Sequence, residues 1–322
     1  MYVKLLIEPS LVATTARPAS PWIERRRDLD AAEFQNCYLR PRRPVVLADA
    51  LREWQALRMF TPNFFRQRFG NVPVQQDGRS VTLGEAIDLQ LAASREKPGA
   101  HACTLADCTE LLSHVTPRIA CSMPSRHAHV PRGACADMNH VEIQFSAPGG
   151  ALANPACDRL HRHLWIAQVH GEREIILYEP GQEHRLYVDS QRPWQSTVHD
   201  IDDDAAYPLL RRARSHRVVL RPGDALFVPC GAWFTARGLS MSISVVFDQL
   251  EAGNWSDFID AAVALQHRRG RHLRALAYGA RLRALGPLLQ AAEWLGAGRA
   301  FDWGHDASAG WKAARRCPAH RL

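Results

Sequence analysis

No apolar run in this 322-residue chain approaches the roughly 18 residues that a membrane-spanning helix needs. Nor is there a Cys-x-x-Cys pair. The eight cysteines (Cys37, Cys103, Cys108, Cys121, Cys135, Cys157, Cys230 and Cys317) are scattered, which argues against a zinc site of the paired-ligand kind and against a disulfide framework. Reduced thiols are expected. A Gly-x-Ser-x-Gly nucleophile elbow is missing, as is a phosphate-cradling Gly-rich loop after a strand. Internal repeats and low-complexity tracts are also lacking. The N-terminal MYVKLLIEPSLVATT carries one Lys and a short apolar patch broken by Glu8 and Pro9, a poor signal peptide, so a cytoplasmic location and no membrane partner are expected.

What is present is an ordinary globular balance, 46% hydrophobic and 23% charged, on a chain long enough for one extended domain with appendages. The net charge of +7 is uneven. From Ala264 onward there are eleven Lys/Arg against three Asp/Glu, which leaves 29 against 30 for the remainder. The basic character therefore belongs to the C-terminal segment.

Periodicity divides the chain into residues 1–35, a partly irregular lead-in; 36–250, the main domain; 251–301, a helical segment; and 302–322, a tail expected to be disordered. Val45–Leu47 reads as a buried strand, Asp49–Leu57 as a helix, and Thr61-Pro62 as the start of another helix ending at Gly70. Val72–Val74 reads as a strand. Thr82 with Glu85 three residues on is a capping-box pattern opening a helix to Leu91. The stretch 100–140 is poor in periodicity and reads as a long loop over one end of the domain. Val141–Phe145 and His216–Leu220 read as strands. LWIAQVHG and REIILYEP, joined by a tight Gly-Glu turn, carry a hairpin signal, and Arg221–Phe247 reads as two further strands around a Pro/Gly turn. Beyond Asp248 two or three helices are expected, broken near Gly270 and at Gly286-Pro287. The acidic run Asp200, Asp202, Asp203 and Asp204 suits a solvated loop better than a divalent-cation site or a contact for basic partners.

The stretches Asn154–Pro180 and Arg221–Phe247, with the Pro-Val-Val strand, the Trp54, Ala56, Leu57 helix and the Phe-Gly helix end, resemble the cupin-like, JmjC-like family. That resemblance implies a mainly β fold with α additions, a double-stranded β-helix (jelly roll) with N-terminal helices and a C-terminal helical segment. Family enzymes are iron and 2-oxoglutarate dependent oxygenases that hold the metal with a His-x-Asp/Glu pair and a distal His, a facial triad with open positions. Aligned on Ala167-Gln168-Val169, the pair falls at Asp158 and Leu160; aligned on Pro155, it falls at Cys157 and Arg159. The distal position, after the turn ending in Trp233, is Phe234. Cys157 and Cys230 lie near these positions, where a buried thiol is the commoner outcome.

A relocated metal site is the competing pattern. His161 and His163 would share a strand face, with a third ligand from His216, His127, His129, His140 or Asp158. Against it stands the ordinary alternative of histidines satisfied by backbone or carboxylate partners. The family's cation for the distal carboxylate of 2-oxoglutarate aligns with Arg173, which can grip a carboxylate through two N–H groups. The bland alternative pairs Arg173 with Glu172 or Glu174.

The leading expectation is a non-catalytic member with no cofactor, holding an anionic small molecule or peptide in the barrel. The alternative is an Fe(II) and 2-oxoglutarate dependent hydroxylase with rearranged ligands. The Arg-rich C-terminal helices read as a homodimer interface, or else as a nucleic-acid surface built from Arg268, Arg269, Arg271, Arg274, Arg281 and Arg283.

Overall fold

The computed structural model describes residues 22–93, 102–106, 109–115, 119, 141–149 and 154–294. His127, His129, His140, most of the 100–140 loop and the tail from Asp302 lie outside them. In chain order the strands are β1 (Glu24–Arg26), β2 (Val45–Leu47), β3 (Pro73–Gln76), β4 (Arg79–Thr82), β5 (Cys103–Ala106) and β6 (Val141–Ser146). They continue with β7 (His163–His170), β8 (Arg173–Tyr178), β9 (Ser215–Leu220), β10 (Ala225–Val228), β11 (Phe234–Gly238) and β12 (Ser242–Gln249). The helices are α1 (Ala31–Phe34), α2 (Ala56–Met59), α3 (Pro62–Phe69), α4 (Leu83–Leu91), α5 (Trp255–Arg268) and α6 (His272–Trp294).

A seven-stranded sheet in the order β1-β2-β10-β7-β12-β6-β5 faces a three-stranded sheet in the order β11-β8-β9. The strand alternation explains both layers. Ile166 of β7, Leu226 of β10 and Val246 of β12 turn inward and meet Ile175, Leu177, Val218, Leu220 and Ala236 of the small sheet. Trp165, Ala167, Phe227, Val245 and Phe145 turn the other way and pack under α1, α3 and α4 through Phe34, Phe65, Phe69 and Ile87. The result is the expected jelly roll, mainly β with helical additions.

Local signals read correctly where they close locally. Thr61 caps α3 by accepting the Phe64 N–H at 3.2 Å. Thr82 and Glu85 form a full capping box on α4.

Five expectations are corrected. β7 and β8 are not a hairpin: β7 pairs with β10 and β12, while β8 pairs with β9 and β11 in the other sheet. The turn between them carries the chain across the barrel wall. Gly171 has φ +64° there, and a Cβ would sit 2.1 Å from the Met241 carbonyl oxygen. Arg221–Phe247 gives three strands rather than two. The Asp49–Leu57 helix reduces to turns followed by α2, because Asp49 has φ +58° and the Leu51 N–H donates to the Gly223 carbonyl at 3.2 Å. The break at Gly270 is observed, with φ +72°, but α6 runs through Pro287. Leu282 and Leu289 on either side of that proline pack on α5, and Trp255 donates its indole N–H to the Leu282 carbonyl at 3.1 Å. The sheet also begins earlier than the lead-in reading implied, since β1 pairs in parallel with β2.

Among the described residues no helix is long and apolar enough to cross a membrane.

Candidate binding site in the barrel

Between the two sheets, where β7 begins and β12 ends, lies a cavity of about 190 Å³. Glu142 and Gln144 of β6 face it from one side, and Asp248 of β12 from another. Phe234, at the head of β11, closes a further side, and Asp158 and Arg162 come from the segment leading into β7. Ala156 exchanges backbone hydrogen bonds with Phe234, 2.9 Å each way, which holds the Asp158 segment beside β11.

Arg162 is the centre of this mouth. Its Nε donates to Asp158 Oδ1 at 3.1 Å, its Nη2 to Asp158 Oδ2 at 2.8 Å and its Nη1 to Asp248 Oδ2. Asp158 Oδ1 also accepts the Leu160 N–H at 3.1 Å and the Arg162 N–H at 2.9 Å. Burial alone would weaken the guanidinium's hold on its proton, but the Asp158 and Asp248 carboxylates outweigh it and push its pKa upward. Glu142 is pushed the other way. Burial raises its carboxyl pKa, Arg162 only partly offsets that, and the nearby Asp248 adds to it.

Arg173, the first residue of β8, lies behind Gln144 and is fully buried. Its Nη1 donates to Gln144 Oε1 at 3.0 Å and to Ser244 Oγ at 3.3 Å. Its Nε and Nη2 have no partner among the described residues. Burial lowers its pKa to about 10. The neighbouring glutamates do not pair with it: Glu172 meets Arg221 at 3.3 Å, and Glu174 meets Arg237 at 2.7 Å and Arg217 at 3.3 Å.

The positions expected for an iron triad can now be placed. Asp158 lines the cavity, with its oxygens engaged by Arg162. Leu160 is fully buried among Leu250, Trp255 and Phe258 beneath α5, away from the cavity. Phe234 lines the cavity but carries no lone pair for a metal. In the shifted alignment, Cys157 packs beside Tyr178 and Trp233 with its thiol pushed up to about 12 by burial, and Arg159 is outside the lining. Cys230 is buried too, its thiol pushed up to about 11. One carboxylate, already gripped by a guanidinium, beside two hydrocarbon side chains does not fit an iron ion.

The relocated set is not brought together. His161 precedes β7 with φ +52°, so it does not share a strand face with His163. His163 points toward the helices, its ring 5.2 Å from that of Phe227, its Nδ1 accepting the Cys230 N–H at 3.0 Å and its Nε2 3.3 Å from Glu251. His216 stacks on Trp22 and meets Glu179 at 2.8 Å. Among the described residues no group of three His, Cys, Asp or Glu is arranged to hold a metal.

Residues 159–249 match the model of the cupin-like domain. Over 265 residues the chain is 25% identical to lysine-specific demethylase 8 of Xenopus tropicalis, covering 76% of this chain and 55% of that protein. It is 26% identical over 238 residues to Jumonji C domain-containing protein 5 of Drosophila melanogaster, covering 67% and 56%. These matches support a likeness to the cupin-like, JmjC-like family. A shorter match, 24% over 128 residues, covers 38% of this chain and 30% of the 2-oxoglutarate and iron-dependent oxygenase JMJD4 of Gallus gallus. The chain spans about half the length of the first of these relatives.

Within this cupin-like barrel the residues that sequence reading passed over are Arg162, Asp248, Glu142 and Gln144. Glu142 and Gln144 alternate with apolar residues on β6, the pattern of a solvent-facing strand side, yet both face the interior. Outside the barrel, the acidic run is exposed, and Asp202 accepts from Arg237 at 3.0 Å. On the C-terminal helices Arg268 donates to the Gln191 carbonyl at 2.7 Å and Arg283 to Asp260 at 2.6 Å, so these arginines are used within the chain.

Proposed function

We propose that this protein is a non-catalytic, cytoplasmic cupin-like barrel that has lost the iron triad and binds a small anionic molecule, or an anionic group of a peptide, at Arg173. The observation that carries the reading is the fully buried guanidinium of Arg173, with Nε and Nη2 unpartnered and no carboxylate in ion-pair contact among the described residues. A buried cation without a counter-charge is costly, and a bound carboxylate supplies the missing charge and both missing acceptors. Leu160 turned beneath α5 and Phe234 at the mouth support the non-catalytic half.

The test is a thermal-unfolding screen of the full chain, stripped of metal, against 2-oxoglutarate, succinate and inorganic phosphate. A rise in Tm with one of these anions, absent in Arg173→Met, supports the reading. Stabilisation only with added Fe(II) contradicts it.

The second reading, an Fe(II) and 2-oxoglutarate dependent hydroxylase, is favoured by the likeness to the 2-oxoglutarate and iron-dependent oxygenase JMJD4 of Gallus gallus. It requires ligands drawn from Asp158, His161, His163 and His216, and succinate release from 2-oxoglutarate would establish it. For partners, the proposal is a homodimer through α5 and α6, where Leu273, Leu276 and Leu288 are exposed. Nucleic-acid binding by the arginines of those helices is the weaker proposal, read by salt-dependent retardation.

A further inference from the structure

The barrel mouth gathers three acidic side chains from three separate elements: Asp158 from the segment before β7, Glu142 from β6 and Asp248 from β12. We infer that the guanidinium of Arg162 is the permanent cation of this mouth, standing where a metal ion would have to sit and closing that place to one. The inference rests on the reading that the mouth holds no iron, and it is independent of any ligand at Arg173.

Position comes first. Asp158 and Phe234 fall at the first and last of the expected triad positions, and both line the same cavity as Arg162. Saturation comes second. Nε and Nη2 take both oxygens of Asp158, Nη1 takes Asp248, and two backbone N–H groups fill the remaining capacity of Asp158 Oδ1. A metal entering here would have to strip a planar two-point ion pair and two further hydrogen bonds from its first ligand. Chemistry comes third. Among the described residues the mouth offers carboxylate and amide oxygens but no imidazole, a donor set poorly matched to ferrous iron. Because the cation is tethered to the chain, its local concentration is fixed and no chelator removes it.

The test measures thermal unfolding of the full chain with Arg162→Ala, which opens a space the size of the lost guanidinium. Its Tm is expected to fall on the order of 5–10 °C, because it leaves buried carboxylates uncompensated. Guanidinium chloride at about 10 mM is then expected to raise the Tm of Arg162→Ala relative to equal sodium chloride, and to leave the wild type unmoved. Should Arg162→Ala fail to fold, Arg162→Met combined with Asp158→Asn and Asp248→Asn removes cation and cage together, and is expected to regain most of the lost Tm. An Arg162→Ala protein as stable as the wild type overturns the inference. So does a triple variant no better than Arg162→Met together with the absence of guanidinium rescue. Stoichiometric Fe(II) binding by the wild type, abolished by Asp158→Asn, overturns both this inference and the non-catalytic reading, whereas those two failures without Fe(II) binding overturn only this inference.

Discussion

Two arginines are buried in the same barrel, and their surroundings are opposite. Arg162 at the mouth is held between Asp158 and Asp248 with Glu142 nearby, and its positive charge is over-compensated. Among the described residues Arg173, deeper inside, meets only an amide oxygen and a hydroxyl, and keeps two donors unpaired. Burial costs each of them solvation, but only Arg162 recovers it from within the chain. A compensated guanidinium is part of the architecture, whereas an uncompensated one marks the place where a charge must come from outside. The difference separates the structural cation of this protein from its candidate binding cation, although both are arginines buried in the same barrel.

The sharpest way to break this contrast is substitution of each arginine by methionine, read by urea unfolding at neutral pH. Arg162→Met is expected to lose about 3–5 kcal/mol, the cost of leaving buried carboxylates unpaired. Arg173→Met removes two unsatisfied donors along with the charge, and is expected to change the ligand-free protein by less than about 1 kcal/mol. Equal losses would end the distinction.

A pH series sharpens it next. Burial holds the folded-state pKa of Arg173 at about 10, below the ordinary guanidinium range of the unfolded chain. Between the two the unfolded chain holds a proton that the folded protein has released, so wild-type stability relative to Arg173→Met should rise with pH. Arg162, whose pKa is raised by its carboxylates, should give no such gain.

A smaller effect is expected from Arg173→Lys, which keeps the charge but loses the fork. Affinity for a carboxylate ligand should fall on the order of tenfold, read by calorimetry. The smallest concerns Glu142. Its carboxyl pKa is raised by burial, so its favourable contribution is present below pH 4.5 and lost as pH rises through the folded value. At neutral pH Glu142→Gln should be neutral or stabilising by less than about 1 kcal/mol.

Much of the barrel was legible because its signals are local. Alternation in HLWIAQVH and REIILY marks strands, Thr82 with Glu85 marks a helix start, and Leu160 and Phe234 sit visibly where ligands would be expected. Strand partners were not legible, because β7 and β8 find theirs beyond Ser215 and alternation carries no pairing information. The His161 and His163 pair was misleading for a local reason, the left-handed backbone at His161, which periodicity does not reveal. Arg162 was invisible for a non-local one. In the run Asp158-Arg159-Leu160-His161-Arg162 it looks like one more basic residue, and its partner Asp248 lies 86 residues further on.

One titration tests the central claim most directly: anaerobic calorimetry of metal-stripped wild type with 2-oxoglutarate, with Fe(II), and with both. The expected result is anion binding that needs no iron and disappears in Arg173→Met, with no stoichiometric uptake of Fe(II). Stoichiometric Fe(II) binding that the anion requires would contradict it and make this barrel a metal-dependent one.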